Sequence, residues 1–163
     1  MSQSAEPRIR IGQVFVSSVA FEHREDVLQL SPRTEIGELA IKVGVQIGIQ
    51  KDGKSGFVKI VVATDNEKNP LYRFAVEMTG IIENDSASNQ EAAKDYLIRS
   101  GAFMMYPFLR EFVANLTTRG RFGPVWLRPM NFKVVAEQIQ KQMDEEGADE
   151  QSVESDGDSK DDG

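Results

Sequence analysis

The hydrophobic residues between positions 39 and 50 alternate strictly with polar or small residues. This period of two predicts a β-strand with one buried face. Residues 8–21 form a second β-rich segment, in which Gly12 is the expected site of a bulge. Residues 57–64 are apolar on both faces, and residues 71–82 alternate again. Because short turns join the last three segments, we expect four strands in one antiparallel sheet.

The pattern becomes helical over residues 90–118. Ser88 or Asn89 precedes this segment and is the expected N-cap, since both residue types accept hydrogen bonds from the first free amides of a helix. We expect Gly101 and Pro107 to divide the segment, because proline lacks the amide that a helix interior requires.

Residues 102–116 carry few polar side chains, the strongly polar ones being Arg110, Glu111 and Asn115. A helix that is apolar nearly all round needs cover on more than one side. One small sheet covers one side, so a second copy of the chain is the economical cover for the other. With a further amphipathic helix at residues 130–143, the predicted fold is α+β, a four-stranded antiparallel sheet followed by two helices.

The net charge of −7 is unevenly distributed. Ten acidic residues and one lysine give residues 144–163 a net charge of −9, whereas sixteen acidic and eighteen basic residues give residues 1–143 a net charge of +2. We expect a flexible N-terminus at residues 1–7, one folded domain over residues 8–143, and a disordered acidic tail over residues 144–163 that serves solubility. The chain shows no apolar stretch long enough for a membrane and no secretory signal, which predicts a cytoplasmic protein without membrane insertion.

The chain contains no cysteine and a single histidine, His23. These counts leave no disulfide, no thiolate nucleophile and too few imidazoles for a histidine metal cluster. We therefore expect no enzyme activity, no metal and no cofactor, and we interpret His23 as an ordinary surface residue.

Residues 48–55 fit the phosphate-binding pattern G-x-x-x-x-G-K-[ST] letter by letter. That chemistry requires a helix directly after the last residue of the pattern, whereas a β-rich segment follows here. The Asp52-Gly53 pair suits a tight hairpin turn, and a hairpin turn is our prediction.

Residues 106–132 resemble a segment typical of bacterial SecB proteins. The matching groups are Tyr106-Pro107-Phe108, Arg110-Glu111, Arg119-Gly120-Arg121-Phe122 and Leu127-Arg128-Pro129-Met130-Asn131-Phe132, and their spacing agrees with the family pattern. Residues 13–22 look like the first strand of this family, and residues 80–82 look like part of its fourth strand. The resemblance covers most of residues 8–143.

The resemblance implies a dimer of dimers, in which the long helix packs between the dimers and explains why that helix is apolar all round. The implied partner at this interface is a second copy of the chain, in a homotetramer. The implied interface residues are Met105, Phe108, Leu109, Arg110, Glu111 and Phe112.

The resemblance also implies a molecular chaperone that holds unfolded polypeptides, such as preproteins for Sec-dependent export, and passes them to the SecA motor. The alternative within the family is a chaperone dedicated to the antitoxin of a toxin–antitoxin system. The aromatic and aliphatic residues expected nearest to the client groove are Phe15, Tyr72, Phe74, Ile81 and Ile82; for Phe15, Tyr72 and Phe74, an ordinary core position is an equal alternative.

Some residues depart from the family pattern. The segment between the first two strands is shorter than in the family and lacks the tryptophan that contributes to the family's groove. Glu22 matches one carboxylate that helps to dock SecA, whereas Ser18 and Ala75 stand where the family has acids. We therefore expect client binding to persist and SecA docking to be weak. The one tryptophan, Trp126, is expected to anchor its loop on the body of the protein.

Five arginines, at positions 8, 10, 119, 121 and 128, raise the question of a nucleic acid partner. They are not interleaved with stacking aromatic residues in a known RNA- or DNA-binding motif, so we expect no nucleic acid partner.

Overall fold

The computed structural model describes residues 9–85 and 90–154. Four strands form one antiparallel sheet, and two helices follow them, so the predicted α+β order is confirmed. The elements are β1 (Ile9–His23), β2 (Ile41–Ile49), β3 (Ser55–Thr64), β4 (Tyr72–Asn84), α1 (Gln90–Thr118) and α2 (Phe132–Glu154).

The strands lie in the order β1-β4-β3-β2, so the first strand pairs with the last, and β1 and β2 form the two edges. The register of β1 against β4 shifts between Ile11 and Gln13, at the position of Gly12. This shift is the bulge that the sequence predicts. A second shift follows between Val16 and Ser18.

The segment that resembles a phosphate-binding loop is a hairpin turn between β2 and β3, as predicted. The Gln50 amide donates a hydrogen bond of 2.9 Å to the Ser55 carbonyl and closes the hairpin. Gly53 has a φ of 67°, a left-handed conformation that glycine adopts without steric cost. The Asp52 carboxylate accepts a hydrogen bond of 2.9 Å from the Lys54 amide, which holds the turn in place.

Helix α1 is continuous, and the expectation that Gly101 and Pro107 divide it is wrong. Gly101 lies where the helix approaches β3 most closely, because a Cβ atom there would lie 2.8 Å from Val58 Cγ2. Pro107 is exposed. Because proline has no amide hydrogen, the carbonyl of Phe103 has no helical donor. Phe103 is itself 64% exposed. Water can reach this carbonyl, so the proline is tolerated inside the helix.

The core lies between α1 and one face of the sheet. Alternate residues of β3 and β4 point towards α1 and are buried, namely Val58, Ile60, Val62, Tyr72, Phe74, Val76 and Met78. On the helix side, Leu97, Met105, Leu109 and Val113 are at most 1% exposed. Helix α2 packs against α1 and β2. The other face of the sheet carries no helix of the described chain.

Helix α2 continues to Glu154, past the domain boundary expected at residue 143. Two contacts, each between residues one helical turn apart, support the start of this extension. Gln140 donates a hydrogen bond of 3.0 Å to Asp144, and Lys141 forms a 4.0 Å ion pair with Glu145. The expected N-terminal segment 1–7, the two candidate caps and the last residues of the acidic tail lie outside the described residues.

Tyr72 fixes the connection between α1 and α2 to the sheet. Its hydroxyl donates a hydrogen bond of 3.0 Å to the Gly123 carbonyl and accepts one of 2.7 Å from the Phe122 amide. A Cβ atom at Gly120 would lie 2.5 Å from this hydroxyl, so the chain passes close to the Tyr72 ring. The connection is therefore held by a side chain of the core.

Arg121 fixes the same connection to the one between β1 and β2. Its guanidinium donates hydrogen bonds to the carbonyls of Val27 and Leu30, at 2.8 and 3.0 Å. Its amide donates to His23 Nε2 at 3.1 Å. His23 also packs edge-on against Tyr72. It therefore has a structural contact and is not the plain surface residue that the sequence suggests.

Candidate functional site

A groove runs between the two connections described above. Its deeper part is a cavity of about 270 Å³ that opens to the surface between residues 36–41 and residues 124–130. Tyr106 of α1 closes it from below, and Leu39 and Ile41 form one apolar wall.

The α1–α2 connection supplies the opposite wall because its residues alternate between the core and the groove. Val125 and Leu127 are 8% and 4% exposed, whereas Trp126 between them is 70% exposed. This inside–outside alternation is that of an extended backbone. Pro124 and Pro129, at either end, also favour an extended chain. Trp126 therefore lines the groove with most of its surface open to solvent, and the expectation that it anchors its loop is not met.

Polar contacts at Arg128 join the two walls of the groove to each other and to its floor. Its guanidinium lies 2.8 Å from the Glu38 carboxylate on the opposite wall. Its carbonyl accepts a hydrogen bond from the Tyr106 hydroxyl. Burial of this hydroxyl raises the pKa of Tyr106, while the nearby Arg110 guanidinium opposes the shift. Tyr106 is thus the neutral donor that ties the floor of the groove to its wall.

A second cavity, of about 510 Å³, continues the groove along α1. Both cavities are lined by Tyr106, Pro129 and Met130, so they form one groove. Phe132 packs edge-on against Phe103 and Tyr106, with ring centroids 5.9 and 5.1 Å apart. The rim of this second cavity carries the cationic residues Arg99, Arg110 and Lys133.

The five residues that the sequence predicts nearest to a client groove lie outside the groove between the two connections. Tyr72, Phe74 and Ile82 are at most 3% exposed and belong to the core, which for the two aromatic residues is the alternative left open above. Phe15 is 42% exposed and pairs with Thr79 on the far face of the sheet, and Ile81 lies on the same face, opposite Gln13. None of these five residues lines the two cavities of the groove.

The residues expected at an oligomer interface divide into two groups. Met105 and Leu109 are fully buried in the described chain and cannot reach a partner without unfolding. Phe108 is 45% exposed and Glu111 is exposed, while Phe112 and Arg110 are half-buried. These four side chains are available to a second copy.

Sequence reasoning missed the groove because its residues lie on connections without regular structure. One signal was available. Residues 122–129, FGPVWLRP, hold apolar side chains at successive positions between two prolines, although the segment is too short to fold as an element of its own. Successive apolar residues in an extended segment must point to opposite sides, so one of them has to face outward.

Three of the five arginines that raised the question of nucleic acid are held by other groups. Arg10 pairs with Glu83 at 2.9 Å, and Arg128 pairs with Glu38. Arg121 donates to two backbone carbonyls, whereas Arg8 lies outside the described residues. These contacts engage the three guanidinium groups with carboxylates and carbonyls of the fold itself.

Within residues 9–85 and 90–154, no group of three or more His, Cys, Asp or Glu side chains is placed to hold a metal ion. No helix in this part of the chain is both long and apolar enough to cross a membrane.

Comparison with known proteins identifies similar chains. A family model described as preprotein translocase subunit SecB matches residues 2–143. The protein-export protein SecB of Neisseria meningitidis serogroup B is 28% identical over 149 residues, which covers 86% of this chain and 96% of the relative. The protein of the same name from Wolbachia sp. subsp. Drosophila simulans is 24% identical over 150 residues, covering 91% of this chain and 82% of the relative.

A solved structure shows the same fold. It is a SecB-like chaperone from Mycobacterium tuberculosis in complex with a peptide from an antitoxin. The TM-score is 0.53 with 17% sequence identity, and the match covers 76% of this chain and 91% of that chain.

Proposed function

Since the chain belongs to the SecB family, we propose that it is a molecular chaperone that binds unfolded polypeptides in the groove between its two connections. The observation that carries this proposal is Trp126, which lies in that groove with 70% of its surface exposed. Exposed apolar surface that is gathered in a groove, as Trp126 is with Leu39 and Ile41, marks an interaction site. Tryptophan offers a wide apolar face with few rotatable bonds, which suits a receptor for varied sequences.

The shape of the groove suits an extended chain. It runs from Ile36 to Lys133 through two connected cavities of about 270 and 510 Å³. Strand β2, whose Ile41 lines the groove, is an edge strand, so its outer backbone groups have no partner strand in the described chain. An extended client can hydrogen-bond to such an edge while its side chains enter the cavities.

The clients that we propose are precursor polypeptides destined for export. The Neisseria and Wolbachia relatives carry the name protein-export protein, and this chain spans most of the length of each. A chaperone dedicated to an antitoxin is the second candidate. An export chaperone passes its clients to SecA and is expected to dock there through carboxylates, whereas the far face of the sheet is poor in free carboxylates. Glu77 and Glu83 on that face are paired with Lys59 and Arg10, at 3.2 and 2.9 Å. A cytoplasmic location is part of the same proposal.

We further propose that the chain assembles as a homotetramer. Phe108 on α1 is 45% exposed, and the edge strand β1 exposes Phe15 and Val19 by 42% and 48%. A long edge strand and an exposed aromatic residue on a central helix are both features that a second copy would cover.

The experiment that tests the chaperone function measures aggregation of a chemically unfolded, tryptophan-free protein with and without the full-length chain. We expect stoichiometric amounts to suppress aggregation, and the fluorescence of Trp126 to shift as the client binds. Trp126→Ala should weaken client binding about tenfold. Val134→Ala is the matched control, since Val134 is 46% exposed but lines neither cavity. Aggregation that proceeds unchanged in the presence of the wild-type chain would contradict the proposal.

A further inference from the structure

Thr117 lies in the last turn of α1 and is fully buried. Its hydroxyl donates a hydrogen bond of 2.7 Å to the Val113 carbonyl, with the Ala114 carbonyl further away at 3.3 Å. The same oxygen accepts a hydrogen bond of 2.8 Å from the Val125 amide. Because the hydroxyl proton is engaged inside the helix, the oxygen is left to act as an acceptor. Thr117 therefore joins the end of α1 to the segment that carries Trp126.

The α1–α2 connection is held by three hydroxyl groups of the core. Tyr72 holds the beginning of this connection, and Tyr106 holds its end. Thr117 holds the middle, at the residue directly before Trp126. Of the three contacts, the one made by Thr117 is therefore nearest to the side chain that we propose as the client contact.

Trp126 itself is not fixed by any polar contact. Neither its amide nor its carbonyl forms a hydrogen bond with residues 9–85 or 90–154. Its side chain is 70% exposed. The direction in which Trp126 points therefore depends on how its neighbours in the chain are held.

Burial favours the outward direction of Trp126 but does not secure it. Val125 and Leu127 are buried, and in an extended segment their burial turns Trp126 to the opposite face. The competing arrangement would bury Trp126 and expose its two neighbours. Because tryptophan is the largest apolar side chain of the three, burial alone discriminates weakly between the two arrangements.

The hydrogen bond to Thr117 discriminates between these two arrangements. In an extended segment, side chains alternate between two faces, and the amides and carbonyls point sideways between them. A half-turn of the segment about its own axis would bring Trp126 towards the core. The same half-turn would carry the Val125 amide away from Thr117 and leave a buried donor without an acceptor, which is destabilising. The bond therefore opposes the rotation that would take Trp126 out of the groove.

We propose that Thr117 is a positioning residue for client binding, whose hydroxyl acts through the Val125 amide to keep Trp126 open to the groove. The inference rests on the proposed chaperone function, in which Trp126 contacts the client. Thr117 is fully buried and touches no client itself.

Hydrogen exchange in the full-length wild-type chain tests the contact directly. The Val125 amide is bonded to Thr117, whereas the Trp126 amide has no partner in the described chain. Relative to its intrinsic rate, we expect the Val125 amide to exchange at least about tenfold more slowly than the Trp126 amide, as measured residue by residue by NMR. Equal protection of these two neighbours overturns the inference.

Variants of Thr117 test the effect on Trp126. Thr117→Val removes the hydroxyl and keeps the shape of the side chain. Trp126 should turn partly inward, so that its emission shifts to shorter wavelength and acrylamide quenches it about twofold less. The affinity for a tryptophan-free protein, kept unfolded by reduction and carboxymethylation, should fall about fivefold. Thr117→Ser keeps the hydroxyl and should restore the emission and the affinity to within about twofold of the wild type.

Thr118→Val is the matched control in the same turn of α1. The Thr118 hydroxyl donates to the Ala114 carbonyl inside the helix and forms no contact with the connection. This variant should leave the emission of Trp126 and the affinity unchanged. A Thr117→Val variant with wild-type emission and affinity overturns the inference, even if the variant is less stable. If Thr117→Val does not fold, hydrogen exchange in the wild-type chain decides.

A double variant tests whether Thr117 acts through Trp126. Combining Thr117→Val with Trp126→Ala should bind the unfolded protein as weakly as Trp126→Ala alone. A further loss of affinity in the double variant would show that Thr117 acts on the groove by another route, and it overturns the inference. A wild-type chain that binds no unfolded protein overturns the proposed function, whereas the exchange at Val125 and the emission of Trp126 still decide whether Thr117 orients Trp126.

Discussion

The carboxylate of Glu38 and the guanidinium of Arg128 lie 2.8 Å apart and join the two walls of the groove. Glu38 belongs to the connection between β1 and β2, and Arg128 to the connection between α1 and α2. Their side chains are 73% and 79% exposed, so the pair contributes at most about 1 kcal/mol to the folded state. Its larger effect is on the groove, because it spans the cavity in which we propose that clients bind.

Removing this ion pair should therefore change client kinetics more than stability. In Glu38→Gln and in Arg128→Gln, we expect a Tm within about 4 °C of the wild type. We expect client association and dissociation to become about threefold faster, a change that corresponds to less than 1 kcal/mol in each barrier. Stopped-flow fluorescence of Trp126 measures both rates.

The double variant provides an internal check on this prediction. If the pair acts as a unit, combining Glu38→Gln with Arg128→Gln should give the same rates as either change alone. Lys141→Gln, which removes an exposed ion pair with Glu145 on α2, is the matched control and should leave the rates unchanged. Rates that stay at the wild-type value in all variants would show that the pair does not obstruct the groove.

Tyr72→Phe should destabilise the protein although it leaves the core volume almost unchanged. The substitution removes the hydrogen bonds that the hydroxyl forms with the Gly123 carbonyl and the Phe122 amide. We expect a loss of about 1–3 kcal/mol in the free energy of unfolding, because two backbone groups lose their partner. Urea denaturation at pH 7 measures this loss. A variant as stable as the wild type would mean that water replaces the hydroxyl.

The same hydroxyl should make stability fall at alkaline pH. Burial raises the pKa of Tyr72 above its ordinary value in the folded state, although the bond that the hydroxyl accepts from the Phe122 amide opposes the shift. The unfolded chain therefore loses this proton first, at about pH 10. The contribution of Tyr72 is complete below that pH and is lost as the pH rises through the folded-state pKa. Tyr72→Phe should show a smaller decrease in stability between pH 9 and 11 than the wild type, and an equal decrease would contradict this account.

The sequence was sufficient to predict elements whose residues repeat with a regular period. The alternation around β2 and the glycine that marks the bulge in β1 both correspond to features of the structure. The strand order β1-β4-β3-β2 was not predictable, because alternation shows which face of a strand is buried but not which strand lies beside it. The continuity of α1 through Pro107 depends on which side of the helix the proline faces, and this is decided by packing.

The groove was the least predictable part of the molecule. Its walls are irregular segments that are held in place by single side chains far away in sequence, such as Tyr72 and Arg121. Trp126 was expected to anchor its loop on the body of the protein, in keeping with the rule that tryptophan is highly buried on average. The rule fails here because the burial of Val125 and Leu127 on either side directs Trp126 outward.

Two neighbouring residues of α1 should respond differently to the same substitution. Phe108 is 45% exposed, so Phe108→Asp should leave the fold intact and lower the mass of the oligomer. Leu109 is fully buried, so Leu109→Asp places a charge in the core and should unfold the chain. Light scattering gives the mass, and circular dichroism reports the sheet. A wild-type chain that is monomeric at micromolar concentration would contradict the proposed homotetramer.

We expect this chain to dock only weakly to SecA. On the far face of the sheet, Glu22 of β1 lies opposite Arg73 of β4, and Ser18 lies opposite Glu77. Glu77 is already paired with Lys59 at 3.2 Å. Docking through carboxylates needs several uncompensated acids on one surface, since single exposed charges contribute little.

Acidic side chains at positions 18 and 75 should therefore strengthen docking to SecA. Ser18 and Ala75 are exposed, so Ser18→Glu and Ala75→Glu can be combined without disturbing the core. We expect the double variant to bind SecA about tenfold more tightly than the wild type, and the gain to shrink as salt increases. Surface plasmon resonance at two salt concentrations measures the effect, with Ser18→Gln combined with Ala75→Gln as the uncharged control. Tight binding of SecA by the wild-type chain would contradict the prediction, and an equal gain in the uncharged control would show that charge is not its cause.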